Sequence, residues 1–95
     1  MSAPPPKKKT DYAALGSPFM RIPRFPVEVA RDLLDLGLRE IYELQGRAPE
    51  SLLLELRQRK PATPEDRLAW FRLAVYFAET PAPEGAKLHP AAWKD

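Results

Sequence analysis

The run LAWFRLAVYFA, residues 68–78, leaves a chain of this size few options, because its eleven positions carry one charge, Arg72. A helix that is apolar nearly all round must be covered on several sides. Within 95 residues such a helix is either the centre of a bundle or a face shared with a second subunit. So small a bundle can barely surround one helix, so the expectation is that some of it pairs between subunits. Trp70, Phe71, Tyr76 and Phe77 are therefore candidate protein-interface residues. Trp93 joins them as the one large anchor of a Pro-interrupted C-terminal stretch, expected to fold back onto the helices.

The rest of the chain also reads as helical, with no convincing alternation at period two. A first helix is expected from Pro26 or Val27 to Leu36, with Gly37 as a left-handed C-terminal cap. Val29, Ala30, Leu33, Leu34 and Leu36 form its inward stripe, and Glu28, Arg31, Asp32 and Asp35 are expected to point outward. A short second helix over REIYELQG points Ile41 and Leu44 inward. A third, APESLLLELRQR, presents Leu52, Leu53 and Leu56, and its last turn places Arg57, Arg59 and Lys60 at the negative end of the helix dipole. For the fourth, Thr63 is the expected N-cap, Pro64 the first residue and Asp66 the capping-box acid.

Residues 1–18 hold Pro4 to Pro6 followed by Lys7, Lys8 and Lys9 and few large apolar side chains, so they read as a disordered or semi-rigid tail ahead of a domain at 19–95. Residues 1–24 carry a net +4 and the whole chain +2, which leaves −2 for the remainder. No apolar segment follows the lysines as in a secretory signal, and no run is long enough to span a bilayer, so a soluble, cytoplasmic protein without a membrane partner is expected. There is no cysteine, which excludes disulfides, and no cluster of side chains suits a metal. Catalysis has little to work with. His89 is the lone histidine and lies between tail prolines, Ser2, Ser17 and Ser51 lack a nearby base, and Asp32, Asp35, Glu40 and Glu43 fall on outward positions. No enzyme activity, cofactor or small-molecule substrate is expected.

The segment IPRFPVEVARDLLDLGLREIYELQGRAPESL resembles helix-hairpin-helix sequences, in which a pattern like I-P-G-x-G-x-K-x-A opens a helix that closes on L-G. The closing segment WFRLAVYFAETP…WKD is similar to that of the small bacterial pathogenicity-locus family, also labelled mitomycin-resistance proteins. The resemblance covers residues 19–95. It implies an all-α fold, a small helix-hairpin-helix (sterile-alpha-motif-like) bundle of four to five helices with extended termini. It implies no established reaction.

Hairpins of that kind grip phosphate through backbone N–H groups at the loop and the start of the following helix. Here Arg24 stands at the first glycine of the pattern, Pro26 at the second, and Glu28 where a lysine is common. Pro26 has no N–H to donate, and Glu28 opposes a phosphate. Ile22, Pro23, Ala30, Leu33, Leu34, Leu36, Gly37 and Leu38 keep the pattern, so the positions that build the fold persist while those that grip have changed. Candidate nucleic-acid contacts are Arg21 and Arg24, the N–H groups of Val27, Glu28 and Val29, and Lys7, Lys8 and Lys9. Two functions follow from the sequence. One is weak, sequence-independent binding of a DNA backbone. The other is a homodimerisation or protein-interaction module built on residues 68–78, with the hairpin purely structural.

Overall fold

The apolar run forms the body of a helix, α4 (Arg67–Glu79), and its own chain covers it. The structure, a computed structural model, describes residues 10–94. Among these lie α1 (Tyr12–Leu15), α2 (Val27–Asp35), α3 (Pro49–Arg59) and α4, with 3-10 turns at Pro18–Arg21, Ile41–Leu44, Gly85–Lys87 and Pro90–Trp93, and no strand. Against α4 pack α3, the turn Ile41–Leu44 and the turn Pro90–Trp93. Phe71, Leu73 and Ala74 are wholly buried. The helix is thus central to the bundle, with Trp70, Arg72, Tyr76, Phe77 and Ala78 left partly exposed. Phe71 presents no surface to a partner and drops out as an interface residue.

The chain enters the fold earlier than expected. Residues 1–9, with Lys7 to Lys9, lie outside the described residues, but the expected tail up to residue 18 is structured from Asp11 onward. Asp11 caps α1 by accepting the Ala14 N–H at 3.1 Å, and Ala14 is buried where α1 meets α2. Arg31 of α2 grips the same carboxylate through Nε and Nη2, both at 2.7 Å. The pair holds the Asp11 carboxyl down at about 2, through the Arg31 hydrogen bond first and the Ala14 N–H second.

α2 runs as its sequence predicts and ends in a Schellman cap, which satisfies its last carbonyls. Gly37, at φ 87°, donates to the Leu34 carbonyl at 2.9 Å, and Leu38 donates to that of Leu33 at 3.0 Å. Asp32, expected in water, is instead 5% exposed. It lies three residues after Val29 and four before Leu36, on the edge of the inward stripe. Two cations meet it there: Lys60 Nζ at 2.9 Å, and Arg67 Nε at 2.7 Å from the other oxygen. The Arg67 N–H is not aligned for a hydrogen bond, so that contact is an ion pair by proximity. Asp35 joins the cluster, accepting from Lys60 at 2.7 Å and Arg31 at 3.2 Å. Burial opposes its charge, and the bonds from Lys60 and Arg31 outweigh that, so its pKa is lowered. Lys60 is likewise opposed by burial and carried upward by Asp32 and Asp35. The basic end of α3, expected to serve its dipole in water, is thus a tie between α2 and α4.

Two further details differ from expectation. The residues around REIYELQG form a 3-10 turn rather than an α-helix, closed by a reciprocal Glu40–Glu43 capping box. These two carboxylates therefore secure backbone N–H groups rather than merely facing water. α4 begins at Arg67, not at Pro64, and Thr63 folds its hydroxyl back onto the Lys60 carbonyl at 2.6 Å. Residues 64–66 form a turn, so neither Thr63 nor Asp66 gives the helix a side-chain cap.

Candidate functional site

The loop before α2 is set by a turn over Ile22–Phe25, closed by Phe25 N–H to the Ile22 carbonyl at 3.2 Å. Pro23 fixes the second position, and Arg24, at φ 58°, takes the third. Positive φ at that position defines a type II turn and normally calls for glycine. Arg24 is the sole non-glycine residue with positive φ among the described residues. Arg24 holds this backbone shape at a cost of about 1–2 kcal/mol for its Cβ.

Behind the turn, the loop is anchored in the core. Ile22 is fully buried and Phe25 is 3% exposed. The Phe25 ring meets Trp70 of α4 edge-on, with centroids 5.7 Å apart and planes at 90°. Such a T-shaped pair adds about 0.5–1.5 kcal/mol beyond its buried area. Trp70, offered above as an interface residue, is half-buried in this contact, so the central helix supports the back of the loop.

The outer face is more open. Pro26 caps α2, and its carbonyl accepts the N–H of Val29 and of Ala30, each at 3.1 Å. Val29 is therefore buried with its N–H used, and it leaves the set of candidate donors. The N–H groups of Val27 and Glu28 have no acceptor among the described residues. Glu28 is exposed in the first turn of α2, where its charge suits the dipole.

Charge is distributed unevenly over this surface. Arg31, Arg47, Arg57, Lys60, Arg67 and Arg72 all face carboxylates at 2.7–3.4 Å. Arg21, Arg24, Arg39 and Lys94 have neither an ion pair nor a side-chain hydrogen bond among the described residues. Two of these four bracket the loop, and both are exposed.

The second loop, before α3, differs. Gly46, at φ 76°, donates its N–H to Glu79 Oε2 at 2.7 Å, and Gln45 Nε2 donates to the Ala78 carbonyl at 2.9 Å. The C-terminal end of α4 thus fills that loop with a carboxylate of its own. Of the other aromatic candidates, Phe77 is half-buried against the core, and Tyr76 and Trp93 pack together with centroids 5.3 Å apart. His89 is exposed, as expected. No group of side chains suited to a metal ion and no helix able to cross a membrane occurs among the described residues.

A family model described as Cdd1, pathogenicity locus, matches residues 13–95. No curated protein and no solved structure matches the chain.

Proposed function

The chain belongs to the Cdd1 (pathogenicity locus) family, and from that premise we propose a non-catalytic helix-hairpin-helix module that binds a nucleic-acid backbone without sequence preference. The observation that carries the proposal is a left-handed Arg24 whose guanidinium, like that of Arg21, has no partner among the described residues, beside a helix start whose first two N–H groups have no acceptor there either. A residue held at an unfavourable φ persists only where the surroundings or a function favour it. Arg24 supplies a planar donor fork suited to phosphate, in place of the backbone donor lost at Pro26. Arg31, Arg47, Arg57, Arg67 and Arg72 face carboxylates within the fold, so two of the three arginines without a side-chain partner among the described residues flank this loop.

Contacts are few, so binding is weak, within the micromolar range typical of non-specific association or weaker. With Arg21, Arg24 and three tail lysines as the largest set of phosphate partners, the slope of log K against log salt is no steeper than about −4.5. The competing reading, a partner surface on α4 and the C-terminal turn, retains Trp70, Tyr76, Phe77 and Trp93, all half-buried within the chain.

The test is fluorescence anisotropy of a labelled duplex over a salt series. It compares the full chain, Arg24→Glu, and a chain beginning at Thr10, which keeps the Asp11–Arg31 clasp. Loss with Arg24→Glu and retention from Thr10 onward supports the loop as the binding element. Equal binding by the full chain and Arg24→Glu refutes it.

A further inference from the structure

Two cavities on α4 meet at Trp93. The larger, about 440 Å³, has apolar walls from Pro49, Val75, Tyr76, Ala92 and Trp93 and includes Glu79. The smaller, about 280 Å³, shares Arg72, Trp93 and Lys94 with it and adds Glu65 and Asp66. The groove they form is built before any ligand arrives. Arg72 belongs to its frame, donating from Nη1 to the Trp93 carbonyl at 2.7 Å and facing Glu50 at 3.4 Å, and it contributes no free charge. Trp93 Nε1 donates to the Lys87 carbonyl at 2.7 Å, and its ring rests on Tyr76 with centroids 5.3 Å apart. Lys87 Nζ lies 5.6 Å from the centre of the Tyr76 ring, so Tyr76 is occupied and the half-exposed Trp93 ring is the aromatic wall left open.

The unpaired charge in the groove is mainly acidic. Asp66 is exposed and its side chain has no partner among the described residues. Glu79 gives one oxygen to the Gly46 N–H at 2.7 Å and faces no cation there. Glu65 is matched by Arg57 at 2.7 Å, and Lys94 is the one cation in the lining without a partner among the described residues. Two free carboxylates thus stand against one ammonium.

An aromatic, apolar wall beside an acidic lip suits a short run of prolines with a basic flank. Such segments dock on aromatic walls because the polyproline helix is already extended and loses little freedom on binding. This chain carries one, Pro4, Pro5 and Pro6 followed directly by Lys7, Lys8 and Lys9. We propose that residues 4–9 occupy the groove of their own chain, the prolines against Trp93 in the larger cavity and the lysines beside Asp66 in the smaller. These six residues extend about 19 Å from Thr10 at the polyproline rise of about 3.1 Å. Their root lies near α4: Asp11 is tied to Arg31, and the next residue, Asp32, to Arg67, the first of α4. The order agrees as well, since a chain leaving Thr10 presents its lysines first, toward the start of α4, and its prolines after them. A short tether holds the segment at an effective concentration on the order of millimolar, so it is docked about half the time even if the separate segment binds with a Kd of about 1 mM. The docked segment withdraws Lys7, Lys8 and Lys9 from any duplex. The inference goes beyond the backbone-binding reading and does not depend on it.

Paramagnetic broadening in the full chain tests this. There is no cysteine, so Ser2→Cys takes a single nitroxide label. In the 15N-labelled chain at low salt, the Trp93 indole N–H signal, identified by its loss in Trp93→Phe, is expected to fall by about half or more and to return when the nitroxide is reduced. Pro4→Ala, Pro5→Ala and Pro6→Ala together are expected to abolish the loss. Asp66→Lys, at a carboxylate that caps no helix, is expected to diminish it without moving Tm. The proposal is overturned if the signal keeps its intensity in the labelled chain, or if the loss survives the three alanines or Asp66→Lys. Broadening in a mixture of unlabelled 15N chain with nitroxide-bearing 14N chain would assign the groove to a second copy and overturn the own-chain assignment. Arg24→Glu leaves the broadening intact, so failure here and failure of the backbone-binding reading are told apart.

Discussion

Replacing Arg24 by glycine should make this protein more stable and a poorer binder at once. The residue sits at φ 58° as the third residue of the Ile22–Phe25 turn, where a side chain costs about 1–2 kcal/mol. Glycine removes that cost but adds freedom to the unfolded chain, which returns about 0.4–1 kcal/mol. The net gain is about 0.5–1 kcal/mol, since Arg24 makes no side-chain bond among the described residues that would be lost. For a domain of this length each kcal/mol moves Tm by about 4–8 °C, so Arg24→Gly should melt about 2–8 °C higher. Arg24→Ala keeps the Cβ and removes only the charge, so its Tm should stay near that of the parent. Both variants should lose duplex affinity together if the guanidinium is the contact. Differential scanning calorimetry and the anisotropy titration read the two effects separately. An Arg24→Gly protein no more stable than Arg24→Ala would refute the strain argument. A gain in duplex binding on Arg24→Gly would show that the loop grips through its backbone instead.

The mirror-image change, Gly37→Ala, introduces the same penalty at φ 87° with open space around the new Cβ, offset by the same unfolded-chain term; a Tm lowered by about 2–8 °C is expected, and an unchanged Tm would undermine the same arithmetic. Asp32→Ala leaves Arg67, 17% exposed, and Lys60, 42% exposed, without their shared anion. A loss of about 3 kcal/mol is expected, at the low end for a broken buried pair because Lys60 still reaches water, and urea denaturation measures it. Asp11 has a folded pKa of about 2 against an ordinary 3.8, so its contribution is complete above the higher value and fades as pH falls through the lower. Asp35 is shifted in the same direction. Asp11→Asn should flatten the decline of Tm with falling pH between about 4 and 2; a decline as steep as the parent's would place the acid sensitivity elsewhere.

Legibility followed the range of the physics. The ends of α2, the leucines of α3 and the return of Trp93 were readable because they depend on local caps and apolar spacing. Asp32 was not, although its place three residues after Val29 was a usable sign, because an acid in a buried stripe makes sense only once Lys60 and Arg67 are known to meet it. The start of the fold at Asp11 was hidden for the same reason: a lone tail aspartate acquires meaning from Arg31, twenty residues away. Residues 68–78 showed that the helix is buried on several sides but not which elements cover it, since pattern alone does not distinguish a helix covered by its own chain from one covered by another. For the loop, sequence showed an arginine at position 24 but not that its backbone takes a positive φ, and it credited Val29 with a free N–H that Pro26 accepts. The groove at Trp93 went unnoticed because the fold-back that sets Trp93 beside Arg72 is tertiary.

The ion cluster around Asp32 and Asp35 also bears on the order of events during folding. Its ties join Asp11 to Arg31, Lys60 to Asp32 and Asp35, and Arg67 to Asp32, bridging separations that local helix formation does not close. Each such tie forms after loops of 20 or more residues have been closed, so the cluster is completed late, on a bundle whose helices already touch. Asp32→Asn should then act mainly on the exit from the native state, raising the unfolding rate and leaving the refolding rate nearly unchanged. Stopped-flow chevrons would show this as a shift of one arm only; a displaced refolding arm would put the cluster in the nucleus instead.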